Sequence, residues 1–554
     1  MTEVRSTSSL EPALQTSWLP MLVIAMAQIL LSFNVNALRV SIGGIVSSFG
    51  ASPSVVGTAI VTHLLFIAAL VMLGAKIGAL WGPRPVFQAA VLLFGVAMFI
   101  TMLSPNATMM IAAQGLAGMA AAALVPTLVV LIAANYQGRR QAQAIGWLGA
   151  SEAMGGVLAF LIAGFLGTWI GWRYSFGVLG VLAAGVLLLS KRLSPVEGRR
   201  DLRIDAVGVA LAALAIILIS VGFDSANRWG LLLAAPGALF SLLGLSPAPV
   251  MIILGIVLGQ AFFTWSNKRR TARKTPLVAL EVIETPQQRS ALFLMFMIVA
   301  LGSAVSFLIP LYIEIVQGLN SLRAALAIIP YSLAIFAGAV LVSRLHDWLS
   351  SRRVARIAFV VVAAGLTLLA MVIRNEWHTV TVIFGLIVIG FGQGALVTVL
   401  FNVLAAASPP ALAGDVASLR GATNNLAGGV GTALASALLI GVLSASVTTN
   451  LVDNPVIPKG LKAQVDLDNV DFVSDDRLLE VLESTTAAPQ QVAEAARIYT
   501  KARLRSLRIC FLALTGLALI AIFPAGGLPG YDRARGRSTA TMRDDPEMLD
   551  GRQA

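Results

Sequence analysis

The chain has 554 residues, 57% hydrophobic and only 12% charged, with a formal net charge of +12. Soluble domains carry roughly 25% charged residues, so the composition excludes an ordinary soluble domain and points to a polytopic membrane protein. One cysteine (Cys510) and three histidines (His63, His346, His378) exclude an intrachain disulfide framework and a local His cluster for metal. No cofactor is expected.

Residues 1–17 are polar and read as a cytoplasmic tail. No short apolar segment with a small-residue cleavage site precedes the first span, so no removable signal peptide is expected. Roughly fourteen apolar stretches follow, at about 18–42, 54–79, 86–104, 109–134, 142–167, 173–190, 204–223, 248–266, 290–316, 324–342, 354–373, 379–404, 416–447 and 506–526. Each is long enough to cross a bilayer as a helix. Residues 230–246 are also apolar, but Pro236 interrupts them and Pro247 and Pro249 flank them; they extend the eighth span or lie at the interface.

The loops set the orientation. Basic residues collect in alternate loops: Lys76 and Arg84; Arg139 and Arg140; Lys191, Arg192, Arg199, Arg200 and Arg203; Lys268, Arg269, Arg270, Arg273 and Lys274; Arg344, Arg352, Arg353 and Arg356. The opposite short loops hold only Arg173, Arg228, Arg323 and Arg374. Cytoplasmic loops carry the excess of Lys and Arg, which puts both termini in the cytoplasm. This distribution assigns the basic charge to the bilayer rather than to nucleic acid. The run Lys501, Arg503, Arg505 and Arg508 breaks the pattern, but it closes the long polar loop 448–505, and long translocated loops tolerate charge. That loop reads as an extracytoplasmic excursion with an amphipathic helix at Pro489–Arg505, and as the place where a periplasmic or extracellular partner would bind.

Polar residues inside the spans carry the chemistry. Glu152 lies about ten residues into the fifth span, among Gly149, Gly155, Gly156, Ala159, Ala163, Gly164 and Gly167. An acid near mid-membrane is costly and marks a functional pathway, whereas small residues three and four apart permit close helix packing. The alternative role for Glu152 is a structural acid bonded to an amide of another helix. Gln28, Ser32, Asn36, Arg39 and Gly43 recur every three or four residues, so they share one face of the first span, expected to line a cavity. Arg39 and Glu314 both fall toward the outer side and are expected to pair as an outer gate, or else to reach the interface separately. His63 suits a proton relay, although a lone His on an apolar helix is more often a hydrogen-bonded neutral residue. Gln114, Gln393, Asn424 and Asn425 serve either as cavity contacts or as helix–helix hydrogen bonds. No GxxxxGK[ST] motif supports ATP-driven transport, and no HExxH motif or catalytic triad supports an enzyme.

GAKIGALWGPRPVF after the second span and VSRLHDWLSSRRVAR after the tenth both close a span with a small-residue, basic turn, and duplicated halves are the usual build of secondary transporters. The pattern of spans, together with Trp172, Arg173 and Phe176 as an intact W-R-x-x-F, resembles the major facilitator superfamily, and most closely its fourteen-helix drug:proton antiporter branch. The likeness covers about 18–526. The family's G-x-L-a-D-r-x-G-r-k signature maps onto AKIGALWGPR, with Ala79 at the Asp while Gly82 and Arg84 remain; the second copy, SRLHDWLSSRR, keeps Asp347. The antiporter motif G-P-x-x-G-G falls on Ala159–Gly164 and retains only its last glycine. The first-span motif falls on NVNALRVSIG, with Asn34 at the acid and Arg39 at the Asn. The fourth-span Arg is Gln114, the second-span Tyr is His63, and LIPLYIEIVQG carries Glu314 where Gln is common.

The resemblance implies an all-α polytopic protein of the bacterial-type inner or plasma membrane, with two six-helix bundles plus two inserted helices. Residues 18–190 would form the first bundle, 191–289 the central region with the inserted pair, and 290–526 the second bundle, with 527–554 as a cytoplasmic tail. It implies export of hydrophobic or amphipathic, drug-like small molecules by proton antiport with alternating access. Glu152 and His63 would carry protons, Asn34 would join the cavity, and Gly82, Arg84, Asp347 and Arg352 would gate the cytoplasmic side. Two other functions fit the same chain: an organic-anion or metabolite carrier without proton coupling, suggested by Asn34, Ala79, Arg39, His63 and Lys76, and a non-transporting membrane scaffold or sensor.

Overall fold

A computed structural model describes residues 17–530 apart from 137, 196, 199–203, 231–232, 235–237, 239, 242–243, 273–275, 279, 346–348, 375–378, 408–412, 453, 455–471, 473–477, 481 and 483–487. Among the described residues, 14 helices are long and apolar enough to cross a membrane. In chain order the helices are α1 (Leu19–Val40), the short α2 (Ile42–Phe49), α3 (Ser54–Trp81), α4 (Pro83–Leu103), α5 (Ala107–Asn135), α6 (Gly138–Trp169), α7 (Trp172–Leu189), α8 (Ala206–Trp229), α9 (Pro247–Thr271), α10 (Pro286–Leu311), α11 (Ser321–Leu345), α12 (Ser351–Val372), α13 (Thr379–Ala406), α14 (Ala413–Val452) and α15 (Pro489–Ile520). The end of the molecule where α1 begins is called the near face, and the end where it finishes the far face.

Helices α1 and α3–α7 pack as one bundle and α10–α15 as the other; α8 and α9 form an antiparallel pair that rests through α8 on α3 and α14. The two bundles meet along α3 with α14 and along α6 with α11. In lipid there is little hydrophobic gain between helices, so close packing must come from small residues. This chain supplies them. A Cβ added at Gly74 would overlap the Ala122 carbonyl of α5, and one at Gly394 the Ile335 carbonyl of α11. Polar clasps fix the inserted pair: Asp205 caps α8 by accepting from Gly208 N at 3.1 Å, and also accepts from Trp265 Nε1 at 3.1 Å and faces Arg269 Nε at 3.4 Å on α9. Thr58 of α3 donates to the Asp224 carboxylate of α8 at 3.3 Å.

The spans expected from composition are present, with three differences. The first span is broken at Ser41 (φ −99°, ψ 11°), beyond which α2 continues as a separate helix. Residues 230–246 do not extend the eighth span: its helix, α9, begins only at Pro247, and Leu233 pairs with Leu245 in an isolated antiparallel bridge, as the prolines there would lead one to expect. The Pro489–Arg505 segment is no separate amphipathic cap. It is the first half of one 32-residue helix, with Arg503 fully buried and Arg508 donating to the Ile373 carbonyl at 3.0 Å. Arg508 is thus taken up by the end of α12, and Arg503 lies over the Tyr499 ring of its own helix.

Gly394→Val should force α11 and α13 apart and lower stability by about 1–3 kcal/mol. Thermal unfolding of the purified protein in detergent measures it; an unchanged midpoint would show that the interface does not depend on that close approach.

Candidate functional site

Between the bundles lies a cavity of about 350 Å³ lined by α1, α6, α10, α11 and α13. Ser32, Asn36 and Arg39 enter it from α1, as the shared-face spacing predicts, and Glu152 enters from α6 with its side chain exposed to the cavity. A chain of hydrogen bonds orders this wall. Arg39 Nη1 donates to Asn36 Oδ1 at 3.1 Å, Asn36 Nδ2 to the Ser32 carbonyl at 2.8 Å, and Ser32 Oγ to the Glu152 carbonyl at 2.7 Å. Gly155 makes this possible, because a Cβ there would sit 2.9 Å from the Ile29 carbonyl and the Ser32 Cβ. On the opposite wall, Tyr331 donates its hydroxyl to Gln393 Oε1. Val157, Phe160, Val299 and Phe336 make the remainder apolar.

The far end of the cavity is sealed by an interaction that the sequence did not disclose. After Pro310, α10 passes into a π-helical turn, Tyr312–Val316, which carries Glu314. Single π turns are often found at functional sites. Glu314 Oε2 accepts from Gly43 N at 2.7 Å and from Ser321 Oγ at 3.2 Å, and the residue is 8% exposed. Gly43 is in the first turn of α2, where backbone N–H groups have no intrahelical acceptor. A carboxyl group of one bundle therefore caps a helix of the other. Beside it, Leu322 N of α11 donates to Thr168 Oγ1 of α6 at 3.2 Å. Gly164 faces Ala325 so closely that a Cβ would overlap it.

The W-R-x-x-F residues buttress this seal from behind. Trp172 Nε1 donates to Ser48 Oγ at 3.0 Å, and its ring packs over Gly44 of α2. Arg173 donates to the Ser104 carbonyl at 3.1 Å and lies over the Phe49 and Trp172 rings. Toward the near face, no such clasp joins α6 to α11 among the described residues: Trp147 and Met154 on α6 and Phe336 on α11 are 60%, 49% and 65% exposed.

Several expected placements need correction. Arg39 and Glu314 do not pair; the helix break gives Glu314 backbone donors instead, and Arg39 turns into the cavity. Asn34 is two residues from both Ser32 and Asn36, about 200° around the helix, so it faces away from the cavity. It donates to Gln114 Oε1 at 2.8 Å, while Gln114 donates to Thr101 Oγ1 at 3.1 Å and His63 Nδ1 meets the Gln114 carbonyl at 3.2 Å. Asn34, Gln114 and His63 are thus a fully buried polar cluster inside the first bundle. Gln28, Asn424 and Asn425 are half-buried outside the cavity lining, and Asn425 bonds back to the Gly421 carbonyl of its own helix. Gly82 forms the α3–α4 turn with φ 91°, and Arg84 donates to the Lys191 carbonyl within the first bundle. Arg352 donates to the Leu528 carbonyl within the second. Among the described residues, neither arginine latches the two bundles together in this conformation. Asp347 lies outside the described residues. Of the lining residues, Tyr331 and Ser306 were overlooked; a tyrosine directly after Pro330 inside an apolar span was the available signal.

Residues 24–432 match the family model described as Major Facilitator Superfamily. The chain belongs to that superfamily. It is 25% identical over 456 residues to a probable actinorhodin transporter of Streptomyces coelicolor, covering 80% of this chain and 76% of that protein. It is 24% identical to the puromycin resistance protein of Streptomyces alboniger (77% and 83% covered) and 23% identical to the multidrug resistance protein Stp of Mycobacterium tuberculosis (90% and 91%). The inward-facing, occupied structure of a bacterial homolog of the human lysosomal transporter Spinster superposes with a TM-score of 0.60 at 14% identity, covering 91% of this chain and 96% of that one. The superfamily member is a multi-pass membrane transporter and not an enzyme.

Glu314→Ala should open the far end. With Cys510 replaced by Ala, a Ser306→Cys reporter in the cavity should react about tenfold faster with a membrane-impermeant maleimide applied from the far side, given the cost of leaving a buried donor unpaired. Equal labelling with and without Glu314 would show that the cap is no seal.

Proposed function

We propose that this transporter exports hydrophobic or amphipathic small molecules across the bacterial inner or plasma membrane by alternating access, coupled to proton entry. The observation that carries the reading is the cavity between the bundles, sealed at the far end by Glu314 on Gly43 and lined by Glu152. Orientation follows from the basic loops, which put the near face and both termini in the cytoplasm. The structure then corresponds to an inward-open state.

Glu152 is the proposed proton carrier. It is the one carboxylate lining the cavity among the described residues, and a group exchanging protons must meet both substrate and water. His63 is the weaker second member: its ring is enclosed by the first bundle and bonded to the Gln114 carbonyl, so it has no contact with the cavity. The relatives named for antibiotic transport and drug resistance favour export of drug-like compounds. In the transport cycle, loss of the Glu314 cap and closure of α6 on α11 toward the near face would expose the cavity outward.

In proteoliposomes, an imposed pH gradient should drive accumulation of amphipathic dyes, and Glu152→Gln should reduce it to the level without a gradient while downhill exchange continues. Gradient-driven accumulation by the variant equal to the parent would rule out Glu152 as the coupling residue. Absence of any dye flux in the parent would rule out export of this class.

A further inference from the structure

We propose that Arg39 makes the cavity an acceptor for amphipathic organic acids, with the substrate carboxylate seated on the guanidinium at the far end and its apolar body along Val157, Phe160 and Phe336. The proposal rests on the export reading and adds the substrate class to it.

The argument begins with the cost of the arginine. A guanidinium in the membrane interior is expensive and is normally offset by a carboxylate or a set of acceptors. Arg39 lines the cavity, yet among the described residues no carboxylate stands within ion-pair distance of it. Its one recorded acceptor is Asn36 Oδ1, and its buried Nε has no hydrogen-bond partner. The nearby acids are committed elsewhere or remote. Glu314 turns its Oε2 to Gly43 and Ser321, its buried Oε1 has no hydrogen-bond partner, and it makes no ion pair with Arg39 among the described residues. Glu152 is level with Ser32, seven residues earlier on α1, or about 10 Å away along the axis at the α-helical rise. The other ionisable group of the facing wall, Tyr331, already donates to Gln393.

The remaining geometry suits a carboxylate. The guanidinium fork matches a planar oxyanion through two parallel bonds, and Asn36 holds Nη1 in place. A volume of about 350 Å³ is at the small end of drug-sized sites, so the occupant is an aromatic or branched acid rather than a large peptide. Separation of Glu152 from Arg39 keeps the proton-exchanging group toward the entrance, where a bound anion would not neutralise it.

Equilibrium binding to the purified full-length protein in nanodiscs tests this without any gradient. The probes are 2-naphthoate, its neutral carboxamide, and the corresponding naphthylmethyl ammonium ion. The acid should bind at least about tenfold tighter than the amide and the cation, the margin expected of a charge-assisted bond. Arg39→Gln should abolish that preference while leaving amide affinity nearly unchanged, and Arg39→Lys should retain part of it. The comparison of probes on the parent protein stands even if a variant does not fold. Equal binding of acid and amide, no acid binding at about 1 mM, or an intact preference in a folded Arg39→Gln variant overturns the proposal. Dye flux without acid preference overturns it while the export reading stands; acid preference without flux supports it and removes the export reading.

Discussion

The arrangement of the two bundles depends on one carboxylate reaching across their boundary. Glu314 accepts from the backbone N–H of Gly43, a donor that exists only because the first span breaks at Ser41 and starts again as α2. An uninterrupted helix would have bonded that N–H internally. The break costs backbone hydrogen bonds in a region with little water, and such breaks persist in membranes where another part of the protein supplies the partner. Ser321 gives the same carboxylate oxygen a second donor. The result is a seal made of bonds that can be released and reformed, supported by Gly164 against α11 and by the Trp172–Arg173 stack behind α2.

Such a seal makes the cavity below it one-sided. The bundles converge at the far end, where a glycine and a threonine bring α6 onto α11, and the large side chains toward the near face leave both helices exposed. The cavity wall is chemically asymmetric along the same axis. Glu152 stands toward the near face, Arg39 toward the far end, and apolar side chains lie between. On the proposed cycle these two charges have separate tasks, one exchanging a proton with the entrance and one holding the cargo.

Much of the fold was legible in the sequence because the bilayer imposes a length on every span and an alternation of charge on the loops. The cavity-facing stripe of α1 was legible for a related reason: helical periodicity places Ser32, Asn36 and Arg39 together whatever surrounds them. The same periodicity excludes Asn34, which the family motif nevertheless placed in the cavity; its amide finds Gln114 inside the bundle. What periodicity does not encode is a contact between distant segments. Gly43 and Glu314 are 271 residues apart, and their pairing depends jointly on a helix break and a π turn. In this conformation Arg84 and Arg352, expected at the cytoplasmic gate with Gly82 and Asp347, bond to the Lys191 and Leu528 carbonyls, acceptors that a motif does not encode.

The central claim is that the far-face seal opens and closes during transport. The most direct measurement is the distance distribution between spin labels at Ser47→Cys of α2 and Arg323→Cys of α11, both exposed at the far face, in a Cys510→Ala protein reconstituted in lipid. The account predicts a short distance in the resting protein, a second and longer population when a proton gradient and transported dye are present, and enrichment of that longer population by Glu314→Ala. A single distance unchanged by gradient, dye and substitution would contradict it.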